Sequence, residues 1–285
     1  MKRREFLEVS AATLLLAGCG GGSEPEPVVP ETLRVSRTDI IVGDVNGVLY
    51  RVRPNANSVS RIDASGNAIW TMASRGSGPG QFDFPSGIVT DVRGRVLVVD
   101  RGNDRVQILD GSTGAFLGAF GSPGDGPGQF RNARQIAVAS DRIYVVDQLN
   151  DRVNVFDMNG NSLFAIGTFG TEPGQLNAPL GVAADAGGNV YVTDSTDDAI
   201  KRFSASGAFI GSVANPQVVH PHGIAIDAIG QLWVADGIAN RVAVLTTQGA
   251  LVRSLPTRIS DGRPGAPHDI ALSGRDIYVR ALPNG

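Results

Sequence analysis

The histidines of this chain are the residues whose types and spacing could do chemistry. All three lie in two short segments, His220-Pro221-His222 and Pro267-His268-Asp269. Imidazoles and carboxylates that converge on one site could bind a divalent metal such as zinc. We therefore treat His222, His268 and Asp269 as candidate metal ligands.

Three more polar residues, His220, Arg134 and Asp39, are candidate ligand-binding groups. We expect the rings of His220 and His222 to point to the same side, because side chains two apart in an extended chain do so and a residue before proline is held extended. Arg134 could hold an anion through its guanidinium group. Asp39 could add a carboxylate to the same site.

The residues alone leave an alternative open for each of these assignments. The histidines could line the site and form hydrogen bonds without binding a metal. Arg134 could pair with the carboxylate of a neighbouring turn instead of a ligand. The choice between these interpretations depends on where the fold places the side chains.

A repeated unit of β-prone segments and turns determines where these residues lie. Equivalent positions are Gly87, Gln135, Gly181, Gly223 and Asp269, which are 48, 46, 42 and 46 residues apart. A repeat of this length is typical of a β-propeller, in which each unit folds as a four-stranded blade. The last unit stops after two strands, and residues 32–37 are the only unused β-prone segment. We predict an all-β fold, a six-bladed β-propeller whose last blade is closed by this N-terminal strand.

One position in each unit, directly before the predicted innermost strand, differs from blade to blade. In blade order its residues are Asp39, Ser86, Arg134, Leu180, His222 and His268. Because blade six neighbours blade one, His222, His268 and Asp39 would be consecutive around the ring, with Arg134 across from them. Residues that recur in most units, such as Asp147 and Arg152, are interpreted as parts of the turns.

The repeated unit resembles the NHL repeat. Its pattern is Pro-x-Gly-Ile-x-x-Asp, then Gly-x-Val-x-Val-x-Asp, then Asn-x-Arg-Val, and the linkers contain Gly-Pro-Gly-Gln-Phe. The resemblance covers residues 39–285 and implies an NHL-like propeller that binds other molecules. Arg280 departs from the pattern, because it is expected to stand where the other units carry aspartate.

A more distant resemblance concerns the two Pro-His segments. They look like segments of the peptidyl-α-hydroxyglycine α-amidating lyases, six-bladed propellers in which three histidines hold zinc and an aspartate beside one of them helps to hold calcium. His222, His268 and Asp269 match three of these ligands, whereas Gln81, Gln129 and Gln175 occupy the position of the third histidine. The resemblance implies a metal-dependent lyase or hydrolase as the alternative to a binding function.

The N-terminal segment resembles a bacterial export signal. Residues 2–7 (KRREFL) are similar to a twin-arginine (Tat) motif, and residues 16–19 (LAGC) are similar to a lipobox. The resemblance implies that residues 1–18 are a signal peptide and that Cys19 is lipidated; the alternative is a general secretory signal with an unmodified cysteine. Residues 19–31 would then form a flexible tether and residues 32–285 the propeller.

The charge of the chain argues against nucleic acid as a partner. Lys and Arg number 25 and Asp and Glu number 28, which gives a formal net charge of −3, whereas nucleic-acid binding requires a basic face. We expect a protein of the cell envelope, in the periplasm or on the outer face of a membrane, that touches the membrane through its lipid only. Its expected role is that of a scaffold for an envelope protein, a glycan or a small ligand.

Overall fold

The computed structural model of the protein describes residues 7–10, 32–44, 47–213, 215–274 and 276–283. Cys19 and the tether predicted for residues 19–31 lie outside these ranges. Within them, the strands form six sheets of four strands each. No helix in these ranges is long and apolar enough to cross a membrane.

The strands follow the repeat of the sequence, blade by blade. The first two, β1 (Leu7–Ser10) and β2 (Thr32–Ser36), belong to the last blade. Blade one contains β3 (Ile40–Gly43), β4 (Leu49–Arg53), β5 (Ser58–Ile62) and β6 (Ala68–Met72). Blade two contains β7 (Ile88–Thr90), β8 (Arg95–Asp100), β9 (Arg105–Asp110) and β10 (Phe116–Phe120). Blade three contains β11 (Ala133–Ala139), β12 (Arg142–Asp147), β13 (Arg152–Asp157) and β14 (Ser162–Ile166).

The second half of the ring repeats this arrangement. Blade four contains β15 (Pro179–Ala184), β16 (Val190–Asp194), β17 (Ala199–Phe203) and β18 (Phe209–Val213). Blade five contains β19 (Pro221–Ile226), β20 (Leu232–Asp236), β21 (Arg241–Leu245) and β22 (Leu251–Pro256). Blade six combines β23 (Gly265–Ser273) and β24 (Asp276–Pro283) with β2 and β1.

The six blades form a closed ring around a central channel. Each innermost strand contacts the innermost strands of both neighbouring blades, in the order β3, β7, β11, β15, β19, β23 and back to β3. The prediction of a six-bladed β-propeller is confirmed.

Apolar side chains pack between neighbouring blades. Within β12, Ile143 and Val145 pack towards blade two, whereas Tyr144 and Val146 pack towards blade four. Both faces of the strand are therefore apolar, because side chains alternate and each face is covered by a neighbouring blade. In the described part of the chain, the smallest buried apolar cluster lies between blades six and one and consists of Ile41, Ile62 and Tyr278.

The N-terminal strand closes the ring as predicted. β2 pairs with β24 in parallel register, from Thr32 opposite Asp276 to Ser36 opposite Arg280. The direction of β2 is fixed because only residues 37–39 separate it from β3 of blade one. β1 pairs antiparallel with β2 at the outer edge of the blade. Since β1 lies within the predicted signal peptide, cleavage before Cys19 would leave β2 as the outer strand.

The recurrent Asp and Arg residues form the turns between the second and third strands. Arg152 donates from Nε to Asp147 Oδ2 at 2.9 Å, and its terminal nitrogens donate to backbone carbonyls of the preceding linker. Arg105 and Arg241 repeat the bond to Asp100 and Asp236 at 2.9 Å. In blade four Lys201 takes over this role, with its Nζ 2.9 Å from Asp194.

Candidate functional site

Irregular strand pairing places the variable residues of the repeat at the channel. The pairing of the innermost strand with the second strand shifts between Ala133 and Ile136, Pro179 and Gly181, Pro221 and Ile224, and Pro267 and Asp269. Such bulges redirect the side chains within them. The residues at these shifts are Arg134, Leu180, His222 and His268. The sequence analysis expected them directly before the innermost strands, but the structure places them inside these strands.

These four residues and Ser86 line one cavity, which we call the channel-mouth pocket. Its volume is about 40 Å³. One water needs roughly 10–15 Å³ on the same scale, so the pocket has room for about three waters or for the head group of a ligand. A larger cavity of about 630 Å³ lies between blades six and one, but none of the predicted site residues line it.

His222 and His268 are in contact in the pocket. Their ring centroids are 4.4 Å apart and the rings meet edge to face. Burial, together with the neighbouring His268 and His220, lowers the pKa of His222 to about 4. Burial also lowers the pKa of His268, with a contribution from the nearby Arg280. Both imidazoles are therefore neutral at pH 7.

His220 lies beside His222, but its backbone conformation differs from the predicted extended one. Its ring centroid is 5.0 Å from that of His222. The backbone of His220 is not extended, however, because its φ is 56°. Its N–H donates to Asp198 Oδ1 at 2.6 Å, which holds this conformation, and its Nδ1 lies 2.9 Å from the Ser195 carbonyl oxygen. The ring is thus engaged with blade four and is not part of the pocket lining.

The backbone conformation of His220 belongs to the repeat. Equivalent residues with positive φ are Phe84, Asn132 and Ala178. Each donates its N–H to an Asn or Asp side chain of the preceding blade, namely Asn57, Asp104 and Asp151. We conclude that the hydrogen bond from His220 to Asp198 joins neighbouring blades and has no specific link to a ligand.

Asp39 is an ion-pair partner within blade one. It is buried, and Oδ1 accepts from Arg53 Nε at 2.8 Å. The hydroxyl of Thr38 donates to the same oxygen at 2.7 Å. Ile40, and not Asp39, lines the channel-mouth pocket. The structure therefore separates Asp39 from His222 and His268.

Asp269 pairs with Arg280 at the wall of the pocket. Arg280 Nε donates to Asp269 Oδ2 at 2.6 Å. The register corrects the position of Arg280 by one residue: Ala281 pairs with Pro267 as Asp147 pairs with Ala133, so Ala281 occupies the aspartate position of the repeat. Arg280 therefore takes the place of an apolar residue such as Val146, and its guanidinium group adds a charge to the pocket.

Two further arginines face the pocket and are linked by amide side chains. Arg101 Nε donates to Asn132 Oδ1. Asn132 Nδ2 donates to Gln148 Oε1 at 2.6 Å, and Arg134 Nε donates to the same oxygen at 2.7 Å. Burial and the repulsion of Arg101 lower the pKa of Arg134 to about 10, so it stays charged at pH 7. Burial and Arg280 likewise lower the pKa of Arg101.

Gln135 links three blades at the pocket. Its Nε2 donates to the Ile224 carbonyl of blade five at 3.2 Å, and its Oε1 accepts from the Val182 N–H of blade four at 3.1 Å. Blades two, four and five carry glycine here, and at Gly181 a Cβ would come within 2.6 Å of the His222 carbonyl oxygen. Gln135 thus replaces the glycine of three other blades, and its side chain extends into the channel next to Arg134.

The charges and pairing around His222 and His268 disfavour the metal that the distant lyase resemblance implies. No group of three or more His, Cys, Asp or Glu side chains could hold a metal ion in the part of the chain that the structure describes. Asp269 is already engaged by Arg280, and the charges of Arg101 and Arg134 would repel a cation. The assignment of His222, His268 and Asp269 as zinc or calcium ligands stays a prediction.

The sequence analysis did not find Arg101, which is one of three arginines in the pocket. The residue lies in the turn after the second strand, where blades one, three, four and five carry Pro54, Gln148, Ser195 and Gly237. This position varies as strongly as the one that contains Arg134. A search for every variable position near the channel, and not only for the one before the innermost strand, would have identified Arg101.

Comparisons with known proteins agree with this fold. A family described as a 6-bladed beta-propeller matches residues 129–242, and the NHL repeat family matches residues 82–109. The chain is a six-bladed β-propeller with an NHL repeat. NHL repeat-containing protein 3 from Homo sapiens is 36% identical over 92 residues, which are 32% of this chain and 25% of that protein. The chain thus matches about a quarter of the length of this curated relative.

Solved structures show the same fold at low sequence identity. Virginiamycin B lyase from Staphylococcus aureus superposes with a TM-score of 0.64 at 16% identity, over 85% of this propeller and 77% of the lyase. A gluconolactonase from Xanthomonas campestris superposes with a TM-score of 0.64 at 17% identity, over 87% of this propeller and 84% of the lactonase. At such identities the likeness establishes the fold alone.

Proposed function

We propose that this NHL-repeat propeller is an exported, lipid-anchored binding protein that holds a small group of its ligand in the channel-mouth pocket. One observation carries the proposal: residues that break the repeat, among them Arg134, His222, His268 and Arg280, converge on a single cavity. A repeated scaffold needs the same residue in each blade, whereas one binding site needs different residues on different blades.

The size of the pocket defines how a ligand binds there. With a volume of about 40 Å³ it encloses a head group, not a whole sugar ring. A small ligand would place its polar group in the pocket. An envelope protein or a glycan would insert one group and rest on the surrounding loops, so all three expected partner classes share this site.

A ligand panel tests the proposal. Thermal unfolding of the protein would be followed with glucose, choline, acetate, inorganic phosphate and a library of neutral and charged metabolites. We expect at least one compound to raise the Tm of the unmodified protein and to leave the Tm of an Arg134→Gln/His222→Asn variant unchanged. Stabilisation that is equal in both proteins, or absent for every compound, would contradict a binding site in this pocket.

The N-terminal motifs support export and lipid anchoring. The order of the Arg3-Arg4 motif and the Leu-Ala-Gly-Cys segment is that of a lipoprotein signal. Mass spectrometry of the protein recovered from cell envelopes tests this part of the proposal. We expect a mature chain that begins with acylated Cys19, and recovery of the Cys19→Ala variant without a lipid. A mature chain that still contains residues 1–18 would contradict it.

A metal-dependent lyase or hydrolase is the second candidate function. It is supported by the contact between the neutral rings of His222 and His268 and by the enzymes among the proteins of similar fold. The metal content of the purified protein, compared with that of a His222→Ala/His268→Ala variant, decides between the candidates. Near-stoichiometric zinc that is lost in the variant would favour the enzyme, and equal low metal contents would favour the binding protein.

A further inference from the structure

We infer that the channel-mouth pocket is a site for a doubly charged oxyanion, such as phosphate or the phosphate group of a monoester, held by Arg101, Arg134 and Arg280. The inference rests on the proposed binding function and gives that function a ligand class. It is argued from the partners of the three arginines, the charge of the pocket and its size.

Two of the arginines have only neutral side-chain partners. Arg101 bonds to the amide oxygen of Asn132, and Arg134 bonds to that of Gln148. Neither forms an ion pair with a carboxylate among the residues that the structure describes. Both side chains are partly buried, and burial lowers both pKa values more than the nearby carboxylates, Asp104 for Arg101 and Asp269 for both, raise them. Partly buried charges without a direct ion-pair partner are unfavourable, so an anion in the pocket would stabilise both groups.

The amide link fixes the direction of these two side chains. Asn132 donates to the Gln148 oxygen at 2.6 Å, and this oxygen also accepts from Arg134. Both arginines therefore use Nε for the link, and their terminal nitrogens donate to none of the described residues. A guanidinium group that is held at Nε presents two N–H groups side by side, which is the geometry that binds oxyanions. The link thus prepares two donors before a ligand arrives.

The charge of the pocket matches a dianion. Arg101, Arg134 and Arg280 are positive, and Asp269, which pairs with Arg280, is the one carboxylate among the lining residues. These three arginines and Asp269 together leave two positive charges in excess. Phosphate monoesters carry about −1.5 to −2 at pH 7, whereas a monocarboxylate would leave one arginine uncompensated.

The positions of the arginines and the pocket volume suit a tetrahedral oxyanion. Ser86 and Gln135 line the same cavity, but the Ser86 hydroxyl donates to the Arg134 carbonyl oxygen at 3.0 Å and the Gln135 amide bonds to blades four and five, so we assign the binding to the arginines. The arginines come from blades two, three and six, and blades three and six lie opposite each other in the ring, so the donors approach the pocket from two opposite sides. A volume of about 40 Å³ takes a single head group. We expect the rest of a monoester to extend into the solvent.

Isothermal titration of the full chain at pH 7.5 with inorganic phosphate, methyl phosphate and acetate tests the inference. We expect both phosphates to bind, and acetate to bind at least about 10-fold more weakly. Arg134→Gln and Arg101→Gln should each weaken phosphate binding about 10-fold or more, since a hydrogen bond to a charged group is removed. Arg134→Lys should have an intermediate effect because it keeps the charge but loses the paired donors.

Arg93→Gln is the matched control. Arg93 is exposed in the turn between β7 and β8, at the opposite end of β8 from Arg101, and the change removes the same charge. Phosphate affinity that falls equally in Arg93→Gln and Arg134→Gln would overturn the inference, because it would reflect the overall charge only. The Tm of each variant shows that it is folded, and Arg101→Gln gives a second test if Arg134→Gln is not.

The ligand panel of the proposed function separates the two possible failures. If a neutral or cationic compound binds and depends on Arg134 and His222, while phosphate does not bind, the oxyanion inference is wrong and the binding function stands. If no compound binds, both are wrong. Equal affinity for acetate and phosphate would overturn the assignment to a dianion.

Discussion

Burial changes the chemistry of single residues in the channel-mouth pocket. An exposed histidine titrates near neutral pH, but the pKa of His222 lies at about 4 because the ring is buried beside His268 and His220. The sequence could predict which residues approach the channel, since the repeat fixes their order. It could not predict that the histidines are neutral and that arginines supply the charge, because this depends on contacts between blades.

We expect the free energy of unfolding to decrease more steeply on acidification in this protein than in a His222→Asn variant. As the pH falls below 6.5, histidine in the unfolded chain takes up a proton, whereas folded His222 stays neutral until about pH 4. The unfolded state then binds more protons, so the free energy of unfolding decreases across this window. The Tm of both proteins would be measured at pH 7.5 and pH 5.0. An equal loss of Tm in the two proteins would contradict this account of His222.

The turn between the second and third strands is the element that recurs most faithfully. In blade three, Asp147 is fully buried and accepts from the Arg131 N–H at 2.7 Å, and from Asn150 Nδ2 and Arg152 Nε at 2.9 Å each. Sequence analysis predicted this network from the recurrence of Asp and Arg. It did not predict the bulges of the innermost strands, although proline stands at the start of three of the four shifts, at Pro179, Pro221 and Pro267, and proline within a sheet is typical of bulges and strand starts.

Asp147→Ala should destabilise the protein more than Asp236→Ala. Removal of Asp147 takes the carboxylate partner from Arg152 and one acceptor from each of two side-chain amides, Asn150 and Asn154. We expect a loss of about 3–5 kcal/mol in the free energy of unfolding. Asp236 accepts from Arg241 at 2.9 Å and from the Ala239 N–H at 3.3 Å, so its removal should cost less. Urea denaturation measures the free energy of unfolding of both variants. Equal losses would contradict the idea that the aspartate with more hydrogen-bond partners contributes more to stability.

At the scale of the whole molecule, the ring depends on a strand from the other end of the chain. Leu33 and Val35 of β2 are buried in the cluster that joins blades five and six. The sequence predicted this closure because residues 32–37 were the only unused β-prone segment. It did not predict the parallel direction of β2, which follows from the short connection to β3.

Leu33→Ala should weaken ring closure. Leu33 is 3% exposed, and the loss of a buried leucine side chain costs about 2–5 kcal/mol. The same substitution at Leu163, which is 48% exposed on β14, is the matched control. There we expect a change of less than about 0.5 kcal/mol in the free energy of unfolding by urea. Similar effects of the two substitutions would show that β2 does not hold the ring together.

The pairing of β2 with β24 also sets an order of events during synthesis. β2 is made before blades one to five, but Asp276, the partner of Thr32, follows 244 residues later in the chain. Blades one to five have all their strands before then, so they can form one after another while the ring stays open. Joining segments so far apart in the chain carries an entropic cost that no local contact offsets. A transport route that accepts only folded proteins, as the twin-arginine motif predicts, would therefore act on this protein only after β24 has been made and has paired with β2.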